Sequence, residues 1–66
     1  MKVRNKYTIS SVRRNECVVD FIAGNVYEAK IDANFYLGCY VVTNEREEQN
    51  IFSKDYFHRM FEVIED

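Results

Sequence analysis

The stretch Ser53-Lys54-Asp55-Tyr56-Phe57-His58-Arg59-Met60-Phe61-Glu62-Val63-Ile64-Glu65 decides the fold, because it can be read in two ways. Ser53 can cap a helix that begins at Lys54, with Asp55 in its first turn. Phe57, Met60, Phe61 and Ile64 then recur at the i, i+3, i+4, i+7 spacing of one helical face. A helix through the whole stretch would make the chain α+β, a three- to four-stranded sheet with a C-terminal helix. The second half also alternates, however, with Phe61 and Val63 on one side and Glu62 on the other, and its β-branched residues suit a strand. The reading adopted is one helical turn at Lys54–His58 followed by a closing strand, which makes the fold all-β.

Upstream, the dominant period is two. In Val26-Tyr27-Glu28-Ala29-Lys30-Ile31, residues Tyr27, Ala29 and Ile31 share one face and Glu28 and Lys30 the other, the pattern of a half-buried strand entered from a Gly24-Asn25 turn. Gly38-Cys39-Tyr40-Val41-Val42-Thr43 is β-branched and aromatic and reads as a strand buried on both faces. The polar run Asn44 to Asn50 is the tip of a hairpin, and Asn50-Ile51-Phe52-Ser53 is its returning strand. Lys2-Val3-Arg4-Asn5-Lys6-Tyr7 alternates as a first strand. From Thr8 to Glu16 the pattern dissolves into what reads as an extended surface loop, after which Cys17 to Ile22 returns to the core.

Sixty-six residues bound the answer to one small domain, residues 1–66. A chain of this size buries only about 60% of its unfolded surface and has no room for a deep substrate cavity. Five Phe and five Tyr supply the core volume. Cys17 and Cys39 lie in apolar runs and are read as reduced core residues, with no disulfide expected. The longest apolar run, Phe35 to Val42, is far short of the roughly 20 residues that span a bilayer. Met1 is followed by charged alternation with no apolar secretory run. A cytoplasmic, non-membrane protein is the expectation.

Chemistry can be narrowed by what the residues lack. His58 is the single histidine, the spacing from Cys17 to Cys39 matches no zinc knuckle, and two isolated glycines cannot cradle a phosphate. No catalytic residue, metal or cofactor is expected, and the chain is read as a non-enzyme.

Charge is laid out unevenly behind a net of −2. Residues 1–14 carry Lys2, Arg4, Lys6, Arg13 and Arg14 and no acid, while the rest of the chain holds all 11 acids. Clustered cations are what phosphate attraction needs, so these five are the candidate nucleic-acid contacts. The competing reading places the first strand beside the last, where Lys2, Arg4 and Lys6 meet Glu62, Glu65 and Asp66 as cross-strand pairs. A second candidate face, for protein binding, joins the aromatics Phe35 and Tyr36 to Arg46, Glu47 and Glu48 at the hairpin tip.

The runs Phe21-Ile22-Ala23-Gly24-Asn25-Val26-Tyr27-Glu28-Ala29, Tyr40-Val41-Val42-Thr43-Asn44-Glu45, Ile51-Phe52-Ser53-Lys54 and Phe61-Glu62-Val63-Ile64-Glu65 resemble a group of very small bacteriophage and bacterial proteins. That resemblance implies a five-stranded SH3-like barrel with a short helical turn before the last strand, and a phage or prophage accessory protein in the host cytoplasm. It does not bring proline-rich peptide recognition, since the chain has neither the Ala-Leu-Tyr-Asp-Tyr-type segment nor a Trp. Three functional expectations result: a non-enzymatic module that contacts a host or phage protein, a nucleic-acid-associated barrel using the basic N-terminal residues, or a self-associating component of a larger assembly.

Overall fold

A computed structural model describes residues 1–32 and 38–66. The described residues form β1 (Lys2–Asn5), β2 (Ile9–Arg13), β3 (Glu16–Phe21), β4 (Val26–Asp32), β5 (Cys39–Thr43), β6 (Gln49–Ser53), α1 (Lys54–Met60) and β7 (Phe61–Glu65). Five strands make one antiparallel sheet in the order β6-β5-β4-β1-β7, and β2 and β3 form a separate two-stranded hairpin. Phe35 and Tyr36, proposed above as binding aromatics, lie outside the described residues.

The C-terminal stretch resolves into a short helix and a strand. The Ser53 hydroxyl accepts the Tyr56 N–H at 3.3 Å, Asp55 sits in the first turn, and His58 and Arg59 sit in the last, each favourable to the helix dipole. The helix stops where Phe61 turns extended (φ −126°, ψ 150°) and pairs with Asn5 of β1. Only Phe57 of α1 is buried. Its ring lies flat on Tyr40, centroids 3.8 Å apart, and contacts Phe61 at 5.4 Å.

The sheet is open, which corrects the SH3-like barrel expected from the sequence. β6 and β7 are the two edges and do not pair with each other. Four strand spacings of about 4.8 Å would hold them about 19 Å apart in a flat sheet, whereas the seven residues of α1 that join them span about 10 Å. The sheet must therefore curl, and it does: the rings of Phe52 on β6 and Phe61 on β7 approach to 5.4 Å. Helix α1 packs on β5, β6 and β7, and with Phe57 filling the interval the edges meet through side chains instead of a hydrogen-bonded ladder.

Phe21, at the end of β3, is the hub of the core. It is fully buried and makes edge-on contacts with Tyr27 (4.9 Å), Phe61 (5.5 Å) and Phe52 (5.7 Å). Val3, Ala29, Val42 and Phe57 complete the cluster. Asn5 is also buried, and its side-chain amide has no hydrogen-bond partner among the described residues. Ile31 shares the phase of Tyr27 and Ala29 yet is 58% exposed.

Thr8 to Glu16, expected as a loop, is mostly hairpin. Arg14 (φ 50°) and Asn15 (φ 66°) are both left-handed, the requirement of a two-residue hairpin turn whose twist matches its strands. The period was hidden because β2 carries Ser10, Ser11 and Arg13, and because its turn uses none of the glycine that usually marks one. The hairpin also overturns the core reading of Cys17, which is exposed on β3; Cys39 is half-buried.

Candidate functional site

The five-residue turn Asn44–Glu48 is built by Asn44. The Glu47 N–H donates to the Asn44 carbonyl and the Asn44 N–H to the Glu48 carbonyl, both at 3.0 Å, with Glu47 left-handed at φ 61°. This is a tight turn closed by one left-handed residue, a common three-residue hairpin connection. The buried Asn44 Oδ1 accepts the Arg46 and Glu48 N–H groups at 3.0 Å, and its Nδ2 donates to Glu48 Oε1 at 3.0 Å. The tip is thus fixed from within.

From this frame Arg46 and Glu48 reach the hairpin. Asp20 of β3, buried, accepts Arg46 Nη2 at 2.8 Å and Arg13 Nη2 at 3.0 Å on the same oxygen. Glu48 accepts Arg13 Nη1 at 2.9 Å on Oε2 and Arg46 Nε at 3.0 Å on Oε1. Two cations and two anions close a ring that clamps β2 and β3 to the β5–β6 turn. Arg46 Nη1 also donates to the Val19 carbonyl at 2.9 Å. The hydrogen bonds from Arg13 and Asn44 hold the Glu48 carboxyl at about 2, and the Glu48 contact in turn raises the already high pKa of Arg13.

A second bridge lies beside the first. The Tyr27 hydroxyl accepts the Ile22 N–H at 2.7 Å and donates to Glu45 at 2.5 Å, and Asn25 Nδ2 donates to Glu45 at 3.2 Å. Burial pushes the Tyr27 phenol up, with the hydrogen bond to Glu45 adding to it, and the same bond lowers the Glu45 carboxyl.

The two faces inferred from the sequence are therefore redistributed. Arg13, assigned with the basic N-terminal residues, joins Arg46 and Glu48, assigned to the acidic tip. Glu47 remains exposed. Lys2 lies directly opposite Glu28 on β4 and Glu65 on β7, and Arg4 opposite Glu62, so β1 sits in an acidic frame at the backbone register. Lys6 is exposed beside the end of α1, with Nζ 3.4 Å from the His58 carbonyl, and Arg14 is exposed at the hairpin turn. Asp20 was the missed member of the ring; its signal was an acid within the apolar run Cys17 to Ile22, a position that calls for a cationic partner.

The outer face of the hairpin was missed as well. Val12 lies opposite Cys17 and Ser10 opposite Val19, so these four side chains share one face. Val12 is 76% exposed, the highest value among the large apolar residues described, Val19 is 44% exposed, and Cys17 and Ser10 are exposed.

Among the described residues no group of three or more His, Cys, Asp and Glu is placed to hold a metal ion, and no helix is long and apolar enough to cross a membrane. A shallow depression of about 210 Å³ on the outer sheet face, lined by Glu28, Ala29, Lys30, Val41, Thr43 and Gln49, brings together no nucleophile and base. No protein-family model, curated protein or solved structure matches the chain. The resemblance to small phage and bacterial barrel proteins is corrected on both counts: the sheet is open with a separate hairpin, and no family match ties the chain to phage proteins.

Proposed function

We propose that the chain is a small non-enzymatic module that binds another polypeptide through the outer face of the β2–β3 hairpin. The observation that carries this reading is the exposure of Val12, 76%, on a hairpin whose opposite face is held to the domain by Phe21 and the Arg13–Asp20–Arg46–Glu48 ring. A chain with so little core to spare gains nothing in folding from apolar side chains turned to water, whereas an interface gains from them. A nucleic-acid role is less well supported: Arg13 is ion-paired, and Lys2 and Arg4 face acids across the sheet.

The test is capture from a lysate of the source cells by the wild-type chain and by Val12→Asp, with far-UV circular dichroism confirming that the variant is folded. The expected result is a partner held by the wild type and lost by Val12→Asp. Retention of the same proteins by both would refute the reading. Binding of DNA or RNA whose log affinity falls steeply with log salt would favour the basic residues instead.

A further inference from the structure

We infer that β2 is an acceptor edge for strand addition, and that its occupant is an acidic, extended peptide segment which joins the hairpin as a third strand. The inference rests on the polypeptide-binding reading and specifies its mode and the chemistry of its partner.

The backbone sets the edge. In a hairpin closed by the two-residue turn Arg14–Asn15, Arg13 and Glu16 form the last hydrogen-bonded pair. Alternation then makes Ser11 and Val18 the next such pair. Val12, Cys17, Ser10 and Val19 must send their N–H and C=O groups away from the partner strand. On β3 the outward Val19 carbonyl is occupied by Arg46 Nη1 at 2.9 Å, which both verifies the alternation and blocks that edge. On β2 the corresponding groups of Ser10 and Val12 face outward from exposed residues, and beyond the register shift at Ile9/Ser10 the strand carries neither proline nor lysine. Among the described residues, one edge of the hairpin is covered and the other is bare.

Charge chooses the occupant. Residues 1–14 contain no acid, and the cations nearest the two ends of β2 along the chain, Lys6 and Arg14, are exposed, while Arg13 is turned inward to Asp20 and Glu48. An incoming strand with acids at its ends and apolar residues at alternate positions between them would satisfy the backbone groups of Ser10 and Val12, extend the Val12–Cys17–Val19 face and meet both cations. A second copy of this chain fits less well, because pairing β2 with β2 would bring up the same exposed cations, Arg14 and Lys6, rather than acids to meet them.

The probe is a capped eight-residue peptide alternating valine and threonine between paired aspartates, added to the full chain and followed by amide hydrogen exchange and by fluorescence titration. The expected result is that exchange at the Ser10 and Val12 amides slows at least tenfold. Affinity should drop at least tenfold when the aspartates become lysines, and should vanish when alternate peptide nitrogens are N-methylated. Val12→Pro, which removes one edge donor, should abolish binding; the N-methylated peptide asks the same question of the unaltered protein should that variant not fold. No binding up to 1 mM, equal binding of the N-methylated peptide, or protection at β6 or β7 instead would overturn the inference. Slowing of Ser10 and Val12 with protein concentration alone, with a doubled mass, would assign the edge to a second copy and overturn it too. Because Val12→Asp capture does not depend on this peptide, failure here leaves the wider reading separately decided.

Discussion

Replacing Asp20 with alanine tests how the hairpin is held. Two guanidinium groups converge on one carboxylate oxygen at 2.8 and 3.0 Å, and the carboxylate is only 6% exposed, so water cannot replace it readily. Losing charge-assisted hydrogen bonds of this kind costs about 1.5–3 kcal/mol. A 66-residue chain has a total stability of about 3–10 kcal/mol, so the variant should remain folded but weakened. With an unfolding entropy of roughly 2 cal/mol/K per residue, the chain's melting temperature should fall by about 10–20 °C. Thermal and urea denaturation read the total. Hydrogen exchange reads the place: amides of β2 and β3 should lose protection before those of β1, β4 and β5. A double-mutant cycle with Arg46→Met should show a coupling above about 0.5 kcal/mol. A loss of stability below about 0.5 kcal/mol, or a uniform loss of protection across both sheets, would refute the view that the ring is what clamps the hairpin to the turn.

Other expectations concern single positions. Glu47→Gly relieves a left-handed non-glycine residue and should stabilise the chain by about 0.5–1 kcal/mol in urea melts. Phe57→Ala removes the only buried side chain of α1 and should cost about 3–5 kcal/mol, enough to unfold much of the population at 37 °C by circular dichroism. Asn5→Val exchanges a buried amide that lacks a partner among the described residues for an apolar side chain of similar size, and should raise stability by about 1–3 kcal/mol. The Glu48 carboxyl titrates near 2 when folded and near 4.5 when not, so the folded state binds fewer protons between these values. Its contribution is complete above pH 4.5 and lost as pH falls toward 2; Glu48→Gln should flatten that part of a melting-temperature profile.

Much of the sheet was legible because its signals are local. Tyr27 and Ala29 alternate with charges, Val41 and Val42 are buried on opposite faces, and Ser53 with Asp55 marks a helix start that Phe61 and Val63 bring to an end. The charge complementarity of Lys2 with Glu65 and Arg4 with Glu62 was readable too, since opposite ends of the chain carried opposite signs. What was not legible depends on distance in sequence or on a few ångströms in space. The ring joins residues 13, 20, 46 and 48, which no local pattern connects. Whether β6 and β7 pair or merely touch turns on how α1 lies between them. The hairpin failed for a different reason: Val12, Cys17 and Val19 alternate, but toward solvent, so a search for an inward apolar face passes over them.

The order β6-β5-β4-β1-β7 makes the first strand wait for the last. Lys2 meets Glu65 across sixty-odd residues, so during synthesis β1 has only one neighbour until β7 has left the ribosome. Among the described residues, two of the strand pairings, β1 with β4 and β1 with β7, join strands remote in sequence, which slows assembly relative to a chain of hairpins alone. A ribosome-bound chain that has not yet released Phe61 would show β1 with one side unpaired, open to whatever strand arrives first.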